Sequence, residues 1–361
     1  VGTANDTLAS LRTGEWLARL RGNRVSTGFV WHEIYMWHDT GTHAGVMPPG
    51  GAVQPFEHAE NPETKRRIRN LLEVSGLLDK LVPVVASEAR DEQLLRVHTR
   101  EYLDRISAMS AGSGGDAGGF TPFGTDSYQI ARLSAGGVIA AVDAVLDARV
   151  SNAYALVRPP GHHALSDTGM GFCLLCNGAI AGFHALEERG LERIAFVDWD
   201  VHHGNGTEAA FWEDPRALTI SLHQDNCFPP NSGPVEANGA GPGEGFNINI
   251  PLPPGSGVGA YLAAFDRVVV PALKVYKPQL IIVPCGFDAG AHDPLGRMQM
   301  HSGGYRTLTQ KIMAAAEELC SGRIVMCHEG GYNASTVPFF ALAVLEAIEQ
   351  DAGRAHLRHQ A

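Results

Sequence analysis

The sequence predicts an α/β fold in which helices cover a parallel sheet within one domain. Three observations predict it. Short β-branched or apolar runs each end abruptly in a polar, glycine-rich loop, as buried parallel strands do when they deliver side chains to one sheet edge. Amphipathic stretches of helical period lie between those runs. The two longest irregular stretches, residues 110–119 and 229–245, have strand and helix units on both sides with no shift in composition, so neither reads as an interdomain linker.

Taken in order, Asn61-Pro62-Glu63 reads as N-cap, first-turn proline and acidic first turn of a helix that presents Ile68, Leu71 and Leu72 on one face and stops at Gly76. A second helix is expected over residues 128–146. The strand at 153–157 runs into Arg158-Pro159-Pro160-Gly161-His162-His163, and the strand at 194–197 into Asp198-Trp199-Asp200-Val201-His202-His203-Gly204. A strand at 218–222 ends at His223. The helix at 260–275 contains Pro271, which predicts a kink. The strand at 280–285 ends at Gly286-Phe287-Asp288. A helix at 305–319 places Leu308, Ile312, Ala315 and Leu319 on one face, and the strand at 324–327 ends at His328-Glu329-Gly330-Gly331-Tyr332. Each ionisable cluster thus sits past the C-terminal end of a strand, where open α/β sheets place their ligands.

Composition narrows the function. Of 361 residues, 28 are Lys or Arg and 39 are Asp or Glu, giving a net charge of -11 that repels polyanions and disfavours nucleic-acid binding through a basic surface. The 42 glycines exceed the roughly 25 that average usage predicts, so many backbone positions need positive φ or close approach. Residues 1–20 lack a basic region and an apolar core, so no signal peptide is expected there. No apolar run approaches the roughly 18 residues of a membrane span. The six cysteines follow no regular spacing and read as reduced thiols of a cytoplasmic protein. Cys173-Leu174-Leu175-Cys176 lies in an apolar stretch and reads as buried chain, not as a redox turn.

Alternate residues at a strand end project to one side, so Asp200 and His202 can hold one metal ion, with Asp288 from a separate strand as third ligand and one position open. One imidazole with two carboxylates is oxygen-rich for zinc and also suits Fe(II). Read alone, the same run fits a set of loop hydrogen bonders. His162 and His163 follow two prolines and a glycine that fix their loop, and a histidine pair beside a metal suits proton transfer near neutral pH. Asp198, unused as a ligand, is free to accept a ring N–H. Gly330 and Gly331 allow a tight turn that brings the Tyr332 hydroxyl back over the edge as an oxyanion donor, although a plain glycine turn with a packed tyrosine has the same pattern. Together these parts describe metal-assisted hydrolysis of an amide or ester.

At this point the chain resembles the zinc-dependent histone deacetylase family, in particular class II members and bacterial deacetylase-like amidohydrolases. The resemblance rests on Arg158 to Ala164, Gly171-Phe172-Cys173, Val197 to Thr207, Ile220 to His223, Gly286 to Ala289 and Glu329 to Asn333, in order over residues 30–348. It implies a single three-layer α/β/α domain of the arginase/deacetylase kind over residues 1–361, and removal of acetyl or related short acyl groups from acyl-lysine. It also implies that Asp200, His202 and Asp288 bind Zn²⁺, that Tyr332 polarises the acyl carbonyl, and that His162 and His163 flank the attacking water. Phe172 and Phe228 match tunnel aromatics, with Gly171 and Leu295 as further substrate contacts, and His203 matches a position that is not a zinc ligand. A structural potassium would be held by Asp198, Asp200, His202, Ser221 and Leu222, and a second by carbonyls around Phe211 and Phe246.

Departures from the family pattern sharpen the reading. Asn205 stands where class I members carry Asp, so His163 leans on an amide while His162 leans on the Asp198 carboxylate. A carboxylate raises its partner's pKa, which predicts a protonated His162 and a proton-shuttling His163. The first pocket loop around Trp31 to His43 and Asn61-Pro62-Glu63 differs from the family's His-Pro-Glu pattern, and His328 replaces a commonly apolar residue. Asp116 matches a rim aspartate loosely. The rivals are a manganese ureohydrolase, which needs carboxylates where Gly204 and Gly290 stand, an acetylpolyamine amidohydrolase, and a non-catalytic scaffold that binds acyl-lysine. Expected partners are an acylated lysine peptide or small acylated amine and, through the two long loops, a homo-oligomer; nucleic acid and membrane are not expected.

Overall fold

The computed structural model of the protein describes residues 26–358, with side chains described as far as Gln350. The reading of residues 1–20 lies outside the described residues. Eight strands form the central sheet: β1 Thr27–Val30, β2 Val82–Val84, β3 Asn152–Ala155, β4 Ile194–Asp198, β5 Ala217–Gln224, β6 Asn247–Leu252, β7 Leu280–Cys285 and β8 Ile324–His328. They pair in the order β6-β5-β4-β7-β8-β3-β1-β2, and every pairing is parallel.

The period of two along a strand builds a core on each face. Val30, Ala153, Ala155, Phe196 and Ile282 point to one core, while Phe29, Tyr154, Ala195, Val197 and Ile281 point to the other. Helices fill both layers: α1 Glu63–Val74, α2 Arg100–Ser110, α3 Ser127–Leu146, α4 Asn177–Glu187, α5 Asn205–Ala210, α6 Val258–Ala264, α7 Val270–Tyr276, α8 Ser302–Cys320 and α9 Val337–Arg358. Residues of α3 and α4 enter the first core, and those of α1, α6, α8 and α9 the second. This is the three-layer α/β/α arrangement that the resemblance implies.

Several elements depart from the sequence reading. Asn61 is not the N-cap of α1: Pro62 takes that position and the helix begins one residue later than expected, while Asn61 Oδ1, one residue before the cap, accepts Glu63 N–H at 3.0 Å. The expected kink at Pro271 takes the form of a π-turn, Phe265–Val269, joining α6 to α7. Proline has no N–H to close the preceding turn, and a widened turn absorbs the loss. Within the 110–119 loop, Gly115–Asp116 pairs with Pro122–Phe123 as a small hairpin. Helix α3 is long and apolar enough to cross a membrane by length and composition, although no apolar run indicated it; 67% of its most apolar stretch is buried inside the protein, as in a core helix. All six cysteines are free, and Cys173 and Cys176 are buried.

Candidate active site

Four neighbouring strands at the centre of the sheet, β4, β7, β8 and β3, deliver the site. The turn after β4 carries Asp200 and His202, that after β7 carries Asp288, that after β8 carries Glu329 and Tyr332, and that after β3 carries Arg158 and the histidine pair. Asp200, His202 and Asp288 are buried, and each offers a ligand atom within 4.8 Å of the others. His202 Nδ1 lies 3.1 Å from Asp200 Oδ1 and 3.2 Å from Asp288 Oδ2. Val201 N–H donates to Asp288 Oδ1 at 2.8 Å, whereas buried Asp288 Oδ2 has no hydrogen-bond partner. Burial and the Asp200 charge push the Asp288 carboxyl up to about 7. Two buried carboxylates converging on one imidazole are stabilised by a divalent cation, and the donor set fits Zn²⁺ or Fe²⁺. Among the described residues no other carboxylate joins this group, as a two-metal ureohydrolase would require.

Close approach explains glycine at two positions. Gly330 N–H donates to Asp200 Oδ2 at 2.8 Å, and a Cβ on Gly330 would overlap the Asp288 carboxylate. One on Gly286 would overlap that of Asp200.

The rings of His162 and His163 lie 4.0 Å apart. His162 Nδ1 is 2.9 Å from Asp198 Oδ2, and His163 Nδ1 is 2.7 Å from Asn205 Oδ1. Burial opposes charge on His162, but the Asp200 and Asp198 carboxylates outweigh it and raise the pKa to about 10. Burial, reinforced by His162 and His202, drives His163 well below its ordinary value. Glu329 Oε2 braces the loop by accepting Gly161 N–H at 2.7 Å and His162 N–H at 3.1 Å.

A cavity of about 260 Å³ leads from the surface to this group. The expected Gly171, Phe172, Phe228 and Leu295 line its walls, and His163, His202 and Tyr332 its inner end. Phe172 meets Tyr332 edge-on at 5.8 Å, and Phe228 meets His163 edge-on at 5.1 Å. Asp293 ties two walls together, accepting Tyr332 N–H at 2.8 Å and Leu295 N–H at 2.9 Å.

Other expected residues lie outside the cavity. His203 turns to Ser232 Oγ at 2.6 Å and Glu208 at 3.2 Å, away from the metal ligands. Ser221 is the register partner of Asp198, and its Oγ lies 2.9 Å from His223 Nδ1. The Phe211 and Phe246 carbonyls each accept a backbone N–H. His328 is buried behind the site, its Nδ1 3.1 Å from the Tyr154 hydroxyl.

A profile of the histone deacetylase domain matches residues 58–348. The chain belongs to the histone deacetylase family. It is 52% identical over 325 residues to a histone deacetylase-like amidohydrolase of Pseudomonas aeruginosa, covering 89% of this chain and 86% of that protein. It is 37% identical over 325 residues to a probable deacetylase of Archaeoglobus fulgidus, with the same coverage of 89% and 86%. The crystal structure of the HDA15 HD domain superposes with a TM-score of 0.81 at 34% identity, covering 90% of each chain. The protein is therefore an enzyme of the deacetylase class.

This deacetylase also uses residues that sequence reasoning missed. Arg158 is fully buried, bonded to Glu60 at 2.9 Å, and Glu60 also takes Lys65 Nζ at 2.7 Å. That cluster holds the segment leading to the histidine pair, and its only local signal was an arginine directly before two prolines. Val46, Phe120 and Cys227 line the cavity without having been singled out. The first two come from hairpins that carry no strand-length pattern.

Proposed function

We propose that the chain is a zinc-dependent amidohydrolase, one domain over residues 1–361, that removes acetyl or a related short acyl group from the ε-amino group of acyl-lysine. One observation carries the reading: the buried donors of Asp200, His202 and Asp288 lie within 4.8 Å of one another, and His202 of that group lines an apolar cavity together with His163 and Tyr332. When bound, zinc supplies Lewis acidity toward a carbonyl oxygen and a water. Phe172 and Phe228 grip the methylene stem, which has no need of a polar partner. Burial pushes the Tyr332 pKa well above its ordinary value, so the phenol keeps its proton and donates to the carbonyl oxygen as negative charge develops there. His163, held neutral with Nδ1 toward the Asn205 amide, takes the proton of the attacking water and passes it to the leaving amine. His162, held as an imidazolium by Asp198, offsets the anionic charge.

The family's structural potassium would be held by Asp198, Asp200, His202, Ser221 and Leu222; the adjacency of Asp198 and Ser221 across β4 and β5 supports that placement. The enzymatic reading is tested with an acetyl-lysine peptide. Tyr332→Phe is expected to lower kcat by a factor on the order of 10² to 10³, and a hydroxamate chelator to abolish turnover. Hydrolysis indifferent to both contradicts the mechanism.

A further inference from the structure

We propose that Phe120 is a third aromatic wall at the mouth of the tunnel and selects acyl-lysine whose neighbouring residue is apolar or aromatic, in preference to acylated polyamines. The inference rests on the acyl-lysine reading above and assigns it a substrate preference. Phe120 lines the cavity, and its ring lies edge-on to Phe228 at 6.3 Å. It is 52% exposed, so filling the core does not account for it.

The backbone holds this ring in place against its own preference. Phe120 has φ 61°, in the left-handed region that bulky side chains avoid. Such conformations persist where the surroundings over-determine them, often at ligand clamps. Here the turn is fixed by Asp116 Oδ1, which accepts Gly118 N–H at 2.9 Å and Thr121 N–H at 3.0 Å. It is stitched to the tunnel wall through Gly171 N–H to Gly119 O at 2.9 Å and Phe172 N–H to Phe120 O at 3.1 Å. Asp116, which the family resemblance matches only loosely to a rim aspartate, thus organises the hairpin that presents Phe120.

The chemistry of the mouth selects the occupant. Val46, Phe120, Phe228 and Leu295 offer apolar surface, and no Asp or Glu among the described residues lines the cavity. The distal ammonium of an acylated polyamine finds no counter-ion in these walls. An apolar side chain beside acyl-lysine instead buries surface against the exposed Phe120 ring.

The test compares acetyl-lysine peptides carrying Phe or Gly next to the modified lysine, together with N-acetylputrescine. The wild-type protein is expected to prefer the Phe peptide by roughly 10-fold in kcat/KM. Phe120→Ala is expected to collapse that ratio towards one through a raised KM, and Phe120→Tyr to retain it. Phe120→Gly, whose backbone adopts positive φ freely, keeps the turn and is expected to behave as the alanine variant does. A ratio unaltered by Phe120→Ala and Phe120→Gly, an equal loss on both peptides, or wild-type preference for N-acetylputrescine overturns the proposal. If the wild-type protein turns over neither peptide, the acyl-lysine reading falls and takes this inference with it; a flat ratio with ordinary turnover removes the inference alone.

Discussion

His162 and His163 are neighbours in the chain, yet their partners drive them to opposite protonation states. His162 faces the Asp198 and Asp200 carboxylates, and its pKa rises to about 10. His163 faces an amide and two other imidazoles, and stays neutral. His163→Ala should therefore lower kcat by a factor on the order of 10² to 10⁴, more than His162→Ala does; steady-state kinetics on an acetyl-lysine peptide reads the order, and the reverse order contradicts the assignment. At this scale the sequence was informative wherever a residue stood in a local pattern. Asp200-x-His202 at a strand end, the histidine pair and the Gly330-Gly331-Tyr332 turn each send one side chain, His202, His163 and Tyr332, to the cavity wall. It was silent where two distant segments meet. Glu329 Oε2 braces Gly161 across 168 positions of chain, and Arg158 Nε meets Glu60 across 98.

Elements were legible in proportion to the regularity of their pattern. The strands at the centre of the sheet are continuous apolar runs ending in polar loops. Strands β1, β2 and β6 went unread because Gly28, Pro83 and the Asn247, Asn249 and Pro251 positions break those runs. Helix α4 is apolar almost all round, so it shows no helical period. How α4 is anchored leads to a prediction. Its N-cap, Cys176, donates its backbone N–H to His98 Nε2 at 3.0 Å, so His98 must carry its proton on Nδ1, 2.9 Å from Leu165 O. Burial lowers the His98 pKa to about 4. The unfolded chain then binds more protons than the folded one between pH 6.5 and about 4, and stability falls as pH falls through that window. From pH 7 to pH 5 the loss from this group is about 2 kcal/mol. Denaturant melts of His98→Gln should show a smaller difference between the two pH values by that amount; an undiminished difference contradicts the account.

Over the whole molecule, a sheet buried on both faces brings four strand ends to one place, and sequence order alone did not reveal which ends would be adjacent. Strands β4 and β3 flank β7 and β8, so residues from 158 to 332 meet around one small volume. The surplus of glycine has a physical address there, since Gly286 and Gly330 stand where any side chain would overlap a carboxylate of the metal group. A buried group of two acids and one imidazole also couples metal binding to folding, so removing the ion should lower Tm as well as activity.

The most direct measurement of the central claim is a titration of metal-stripped protein with Zn²⁺, following hydrolysis of an acetyl-lysine peptide against bound metal. The account predicts activity that rises linearly from zero and saturates at one equivalent per chain. Turnover that persists in the stripped protein, or a plateau reached only at two equivalents, would contradict it.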